Sequence, residues 1–279
     1  MCIRDRVPVA GVARVLGLPR SGNHAVIKWL LRNLPQENMV FLNNCTPFAD
    51  PFAHNGEVEV NGTRCRSRMR DLGHSGPAAD AIESEAPAFV LVSYERWVPG
   101  MAATGTGGLS GELDERGFAF EVLVYRGFLN WLASLVMLQR RKVEARRSAP
   151  EAARQMIEQQ LARYEGVLRS VGGGRDDPRT PVCYDRWFES ADYRAERLAA
   201  LGLPVRDNRL GRVSPYGGGS SFEQVKRGQD LSAGDRWQAM MPDPEYRAWL
   251  AKAAQNESFM AALAAVFPTD ADILSAERV

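Results

Sequence analysis

One stretch, residues 12–34, constrains the fold of this chain more than any other. Residues 12–18 (VARVLGL) form an apolar run that predicts a buried strand, and residues 22–34 carry apolar side chains at helical spacing. Only a short loop of small and polar residues separates the two segments. A strand that runs directly into a helix in this way is typical of α/β folds built on a parallel sheet.

The same alternation continues along the chain. Because strands alternate with helices, the sequence predicts a three-layer α/β sandwich with a central parallel sheet covered on both faces. Ser148 is the expected N-cap of the helix that begins at Pro150. Further strands are predicted over residues 39–42, 88–94, 118–125 and 182–184, and helices over 128–147, 150–170 and 191–203 and twice between 242 and 267.

Length and pattern favour one domain over residues 11–270, with residues 1–10 as a non-native or disordered N-terminus because the first six do not continue the strand pattern. The net charge of +1 gives no reason to expect nucleic acid or a membrane surface as partner. No apolar run is long enough for an integral membrane segment. Four cysteines without a CxxC pair and three histidines favour free thiols, a cytoplasmic location and no metal site.

The loop after the first strand has the features of an anion site. Backbone N–H groups at a helix N-terminus, together with the positive end of the helix dipole, attract negative charge. Arg20 adds a guanidinium, whose forked donors suit phosphate. On the alternative interpretation, Pro19, Gly22 and their neighbours only shape the chain. Side-chain donors in the loop are Ser21, Asn23 and His24.

A second pair of residues, Arg126 and Ser134, lies around the end of the strand at 118–125. Arg126 follows the strand directly, and Ser134 comes eight residues later inside the next predicted helix. Both side chains can therefore face the crevice at the carboxyl ends of the strands, where ligands bind in such sheets. The alternative is an ordinary arginine at a strand end and an interior helix serine.

Together these stretches resemble the two signatures of the sulfotransferase family, which uses 3′-phosphoadenosine 5′-phosphosulfate. In the first signature a strand is followed by Pro-Lys/Arg-Ser-Gly-Thr, and residues 19–22 match it, whereas Asn23 and His24 replace the usual hydroxyl residues. The second signature is an Arg at a strand end followed by a Ser about eight residues later, and Arg126 and Ser134 match it. The resemblance implies a P-loop-NTPase-like sulfotransferase fold, in which the loop binds the 5′-phosphosulfate and the second pair binds the 3′-phosphate, without a metal ion.

Two later segments add to the resemblance. "CYDRWFES" is similar to a family stretch that would place Tyr184 beside the adenine. "SSFEQVKRGQDLSAGDRW" is similar to the family's C-terminal loop over the 3′-phosphate, with the two bases in reversed order. The residues at that place are Lys226, Arg227 and Gly228, and the alternative is a solvated basic turn.

Sulfuryl transfer to a hydroxyl or amine also needs a general base beside the donor. Family branches use a His or a Glu after the middle strand, and here "AFVLVSYERW" offers Glu95 at that place. His24, His54 and His74 are rival candidates. We expect Glu95 to be the base, and the catalytic candidates are Arg20, which would stabilise developing charge, Glu95 and His24.

The acceptor and the oligomeric state stay open at this stage. An acceptor pocket is expected from residues 43–86, 97–112 and 208–225, for a carbohydrate, lipid or other small molecule. Arginine-rich stretches at 64–70 and 140–147 are either solvated surfaces or attract an anionic ligand. One alternative function is a Mg²⁺-dependent nucleotide kinase, which the absent Gly-Lys-Ser/Thr disfavours. Another is a non-catalytic relative that binds an anionic ligand.

Overall fold

The structure is a computed structural model that describes residues 9–35, 37–65, 88–96, 108–110, 117–173, 178–211 and 234–276. Within these ranges the strands are β1 (Val9–Gly17), β2 (Met39–Asn43), β3 (Glu57–Val60), β4 (Thr63–Cys65), β5 (Ala88–Tyr94), β6 (Phe118–Tyr125) and β7 (Thr180–Cys183). The helices are α1 (Asn23–Asn33), α2 (Phe128–Glu144), α3 (Pro150–Gly172), α4 (Tyr184–Glu189), α5 (Ala191–Ala200), α6 (Arg236–Met240), α7 (Pro244–Ala254), α8 (Glu257–Val266) and α9 (Pro268–Ala276). His74, Lys226, Arg227 and Gly228 lie outside the described residues.

All these strands belong to one sheet, in the order β4-β3-β2-β5-β1-β6-β7. The five strands from β2 to β7 in that order pair in parallel, whereas β3 and β4 pair antiparallel at one edge. Helices cover both faces, so the predicted α/β sandwich with a central, mostly parallel sheet is confirmed. Among the described helices, none combines the length and the apolar character needed to cross a bilayer.

The two faces of the sheet bury separate cores because side chains alternate along each strand. On β1, Val15 points into the core formed with α1, α4 and α5. Leu16, its neighbour, points into the opposite core, formed with α2, α3, α7, α8 and α9. Strands buried on both faces account for the long apolar runs that predicted β5 and β6.

The β3–β4 hairpin gives regular structure to part of the region 43–86, which is one of the segments expected to form the acceptor pocket. Asn61 and Gly62 both have positive φ, of 48° and 82°, and connect the two strands. Asn-Gly is the preferred pair for a two-residue hairpin turn because both positions need positive φ. The hairpin extends the sheet beyond β2, so residues 57–65 are part of the sheet.

Three element boundaries also differ from the prediction. β1 begins at Val9, so residues 9 and 10 belong to the sheet and not to a separate terminus. α9 continues to Ala276, beyond the expected domain end at 270. Ser148 is not an N-cap: the cap position of α3 is Ala149, and the Ser148 hydroxyl donates to the Ala149 carbonyl.

Candidate anion-binding and catalytic site

The loop between β1 and α1 turns sharply at the carboxyl edge of the sheet. The Ser21 N–H donates to the Leu18 carbonyl at 3.2 Å, and both Arg20 and Gly22 have positive φ, of 73° and 91°. The Trp131 indole on α2 donates to the Pro19 carbonyl at 3.0 Å. These contacts hold the loop in one conformation above the end of β1.

The N-terminus of α1 faces the same region. Its N-cap residue is Gly22, which has no side chain to cap the helix, and its first turn contains no acidic residue. The first N–H groups of a helix and the positive end of its dipole favour a bound anion. Residues 19–24 therefore have the local geometry that the sequence predicts.

Tyr184 packs directly beneath this loop. A Cβ atom at Gly22 would lie 2.0 Å from the Tyr184 ring, so only glycine allows this approach. The ring stacks on Trp187, with centroids 5.6 Å apart, and the Arg126 guanidinium lies 5.1 Å from its centre. Because Tyr184 is only 5% exposed, it has little ring surface for stacking on an adenine, and the structure favours a supporting role.

A second polar group lies behind the loop, at the start of α2. Ser134 accepts from Arg126 Nη1 at 3.4 Å and from Arg236 Nη1 at 3.3 Å. Ser134 is 0%, Arg126 2% and Arg236 7% exposed, so this is a buried pair of guanidiniums around one hydroxyl. The structure thus brings the predicted pair of Arg126 and Ser134 together and adds Arg236 to it.

The environment of Arg126 fixes its orientation. Its Nε donates to Asp185 at 3.3 Å, and the other Asp185 oxygen accepts from the Gly127 N–H at 2.6 Å. Its carbonyl accepts from the Tyr164 hydroxyl. Side chains from α2, α3 and α4 therefore converge on this one residue at the end of β6.

Arg20 connects the two groups electrostatically. Burial lowers the pKa of Arg20 to about 10, with additional lowering from the Arg236, Arg126 and Arg141 guanidiniums and an opposing effect from Glu95. A guanidinium lowers the pKa of another cation in this way only from nearby. The loop guanidinium and the Arg126–Ser134–Arg236 group therefore form one positively charged region.

Glu95 and His24, two of the candidates for the base, lie next to each other. Glu95 follows β5, and its Oε1 accepts from the Asn23 side-chain amide at 3.1 Å and lies 3.4 Å from His24 Nε2. Asn23 also donates to the Leu18 carbonyl at 3.0 Å. The side-chain amide of Asn23 is thus committed to the loop and to Glu95, which corrects its expected role as a phosphate donor.

The protonation state of His24 follows from its surroundings. Burial is the largest cause of a lowered pKa at His24; Lys28, Arg20 and Arg64 lower it further, while Glu95 opposes them. The imidazole is therefore neutral at pH 7. His54, by contrast, is exposed, and its backbone N–H donates to the Asp50 carbonyl in a turn between β2 and β3.

Comparison with known proteins gives similarity to solved structures but no match in sequence. No family model and no curated protein matches the chain. Among solved structures, the chain is similar to a mouse sulfotransferase, SULT7A1, complexed with PAP, with 10% identity and a TM-score of 0.48. That alignment covers 98% of this chain and 90% of the mouse protein. At this level of similarity, function has to be argued from the residues of the site.

Arg236 is the site residue that sequence reasoning missed. It belongs to the "GDRW" stretch, whose resemblance to the family loop points to Lys226 and its neighbours and not to this arginine. Asn130 on α2 fixes the position of Arg236 by binding the backbone on both sides of it. The Asn130 side-chain amide donates to the Gly234 carbonyl at 2.7 Å, and the Asn130 side-chain oxygen accepts from the Trp237 backbone N–H at 3.2 Å. The "GDRW" stretch is the available signal, but spacing alone does not place it next to Ser134.

Three described arginines of the two arginine-rich stretches have different surroundings, whereas Arg66, Arg68 and Arg70 lie outside the described residues. Arg140 pairs with Asp243 at 2.8 Å and Glu245 at 2.9 Å, and those carboxylates raise its pKa. Arg141, seven residues after Ser134 on α2, is exposed and acts on Arg20. Arg64 pairs with Glu57 across the β3–β4 hairpin. In the described part of the chain, no three His, Cys, Asp or Glu residues group as metal ligands do.

Proposed function

We propose that this protein is a sulfotransferase that moves a sulfuryl group from 3′-phosphoadenosine 5′-phosphosulfate to a hydroxyl or amine. The observation that carries the proposal is the pairing of two anion-binding groups at one sheet edge. One is the α1 N-terminus with Arg20, and the other is the Arg126–Ser134–Arg236 group. A donor with two separate phosphate groups on one nucleoside needs two such positions.

The charges of the site suit this donor. Burial and then the neighbouring guanidiniums lower the pKa of Arg20, and a bound phosphate or phosphosulfate would offset the repulsion among these cations. Arg126, Ser134 and Arg236 present donors that match a phosphate, and a guanidinium binds phosphate oxygens in forked geometry. We assign them to the 3′-phosphate, and residues 19–22 with the α1 N-terminus to the 5′-phosphosulfate.

The chemistry follows from the side chains around the loop. Glu95 accepts the proton of the acceptor O–H or N–H as the acceptor atom forms a bond to the sulfur. The bond between sulfur and the bridging oxygen of the 5′-phosphate breaks, and its electron pair stays on that oxygen. Arg20 and the α1 N–H groups stabilise the charge that develops there, and one such donor is typically worth about 3 kcal/mol of barrier.

The Glu95 side chain is 20% exposed, so an acceptor can reach it. Glu95 lies near the ends of β2 and β5. These two ends are joined by a hydrogen bond at 3.0 Å, in which the Asn44 backbone N–H donates to the Ser93 hydroxyl. We propose that the acceptor binds on this side of the loop, against the region between β2 and β3. A hydroxyl or amine of a carbohydrate, lipid or other small molecule fits this chemistry.

The donor assignment is tested by nucleotide binding. Wild-type protein should bind adenosine 3′,5′-bisphosphate with a Kd on the order of micromolar by calorimetry, and adenosine 5′-monophosphate more weakly. Arg126→Ala and Ser134→Ala should weaken the bisphosphate by about 10-fold or more and the monophosphate little, because they act on the 3′-phosphate. Arg209→Ala, which removes an exposed arginine paired with Asp207, is the control.

Two results would contradict this proposal. If the wild-type protein fails to bind the bisphosphate at micromolar concentrations, the assignment of the donor is wrong. If Arg126→Ala weakens the binding of both nucleotides equally, Arg126 does not bind the 3′-phosphate. Radiolabelled donor with a panel of carbohydrate, lipid and phenolic acceptors then tests transfer, and bisphosphate binding without any transfer would favour a non-catalytic relative.

A further inference from the structure

We propose that Asn23 and His24, the first two residues of α1, are positioning residues that orient Glu95 through one of its two oxygens. The other oxygen is then left to take the acceptor's proton. This inference rests on the proposed function. It adds that the segment binding the donor also sets the position of the general base.

Asn23 makes the first connection. Its Nδ2 donates both to the Leu18 carbonyl at 3.0 Å and to Glu95 Oε1 at 3.1 Å. Because the residue is buried and sits against Gly17 at the end of β1, it has no room to turn to another partner. One amide group therefore joins the loop and the carboxylate that follows β5.

His24 makes the second connection, to the same oxygen. Its Nε2 lies 3.4 Å from Glu95 Oε1, while its Nδ1 is buried. The groups that act on it are Glu95 after β5, Lys28 on its own helix, Arg20 in the loop and Arg64 on β4. A neutral imidazole with its proton on Nε2 can donate to Glu95, whereas its buried Nδ1 cannot receive a proton from an acceptor.

Both contacts leave the second carboxylate oxygen in a defined place. The two contacts described above fall on Oε1, so we assign Oε2 to the acceptor's proton. A carboxylate held on one side by the Asn23 amide and flanked there by the His24 imidazole is restricted in rotation and needs less reorganisation when it accepts a proton. His24 thus acts through Glu95 and does not itself bind phosphate or transfer the proton.

Nuclear magnetic resonance of ¹⁵N-histidine-labelled protein tests the contact directly. We expect His24 to carry its proton on Nε2, and Glu95→Gln to move its titration midpoint about half a pH unit or more to lower pH, because the Glu95 charge raises the His24 pKa. His54→Gln removes an exposed histidine and serves for assignment and as a control. A proton on Nδ1, or a midpoint unaffected by Glu95→Gln, would overturn the inference.

Kinetics test the positioning role. With 3′-phosphoadenosine 5′-phosphosulfate as donor and water as acceptor, His24→Ala should lower kcat about 10-fold. The Kd of the His24→Ala variant for adenosine 3′,5′-bisphosphate should stay within about twofold of the wild-type value. His24→Gln, which restores an N–H donor, should recover part of the rate, whereas Arg20→Ala should weaken binding.

The outcomes separate the two proposals. Unchanged kcat in His24→Ala, or a loss of bisphosphate affinity as large as that of Arg20→Ala, overturns the positioning role and leaves the sulfotransferase proposal intact. Absence of bisphosphate binding by the wild type overturns the proposed function and this inference with it. Lower kcat with retained affinity and partial recovery in His24→Gln supports both.

Discussion

At the scale of single residues, Gly22 links the loop to α1 in a conformation that side chains rarely adopt. Its φ is 91°, and the Tyr184 ring occupies the space where a Cβ atom would be. Left-handed backbone costs most residues about 1–2 kcal/mol, so glycine is favoured on that ground alone. The close ring adds a steric requirement that Gly62 and Gly202, which also have positive φ, do not share.

Gly22→Ala should therefore lower the free energy of unfolding by about 3 kcal/mol or more, combining backbone strain with a clash. Gly202→Ala is the matched control, because Gly202 has φ 69° and no atom lies within 4 Å of the place that a Cβ would take. Gly202→Ala should lower the free energy of unfolding only by the backbone strain, about 1–2 kcal/mol. Urea unfolding measures both, and equal losses would show that Tyr184 does not restrict Gly22.

At the scale of elements, the N-terminus of α2 is capped by carboxylates from two distant segments. Asp185 on α4 accepts from the Gly127 N–H at 2.6 Å, and Asp270 on α9 accepts from the Leu129 N–H at 3.2 Å. Burial, with a further contribution from Asp185, raises the pKa of Asp270 to about 6. The C-terminal helix is thus joined to the strand end that carries Arg126.

The raised pKa predicts how stability changes with pH. Since the folded state holds the Asp270 proton up to about pH 6 and the unfolded state loses it near pH 4, this group makes the protein more stable as pH falls from 6 to 4. Asp270→Asn should remove that contribution and raise stability at pH 7 by about 2–3 kcal/mol, with the gain vanishing near pH 4.

Asp272→Asn on the same helix is the control, because Asp272 is exposed and should change stability little at any pH. Chemical unfolding at about pH 4.5, 5.5 and 7 measures the difference between each variant and wild type. A gain for Asp270→Asn that is the same at all three values would show that Asp270 does not titrate in this range.

At the scale of the whole molecule, overall charge and local charge differ. The chain has a net charge of +1, yet Arg20, Arg126 and Arg236 gather within one buried region. The folded protein bears the repulsion among these groups, and a ligand that binds only the folded state stabilises it. An anionic ligand should therefore raise both stability and the thermal midpoint.

Adenosine 3′,5′-bisphosphate at about 100 times its Kd should stabilise the protein by about 2.7 kcal/mol, which corresponds to a rise in Tm of about 5–10 °C. The rise should shrink between about 50 and 500 mM NaCl, because the attraction is electrostatic and salt screens it. Adenosine at the same concentration is the control. A rise that does not depend on salt, or equals that with adenosine, would contradict a charge-based site.

Several strands and helices could be predicted because they depend on short-range sequence patterns. The apolar runs of β1, β5 and β6 and the spacing of α1 reflect burial on one or both faces, and parallel strands place their following loops at one edge. The Asn61-Gly62 hairpin carries an equally local signal, which the sequence prediction missed. Arg126 and Ser134 could be paired because a strand end and the next two helical turns stay together along the chain.

Other parts of the site depend on contacts between residues far apart in sequence. Arg236 reaches Ser134 across 102 residues, and Asn23 reaches Glu95 across 72. Local spacing predicted an anion-binding loop, and the family resemblance pointed to Glu95 as the base with His24, His54 and His74 as rivals. Neither could show that Glu95 and His24 are neighbours or that Tyr184 lies beneath the loop. Those relations arise when the strands align and the helices pack on them, because packing brings together side chains that no local pattern connects.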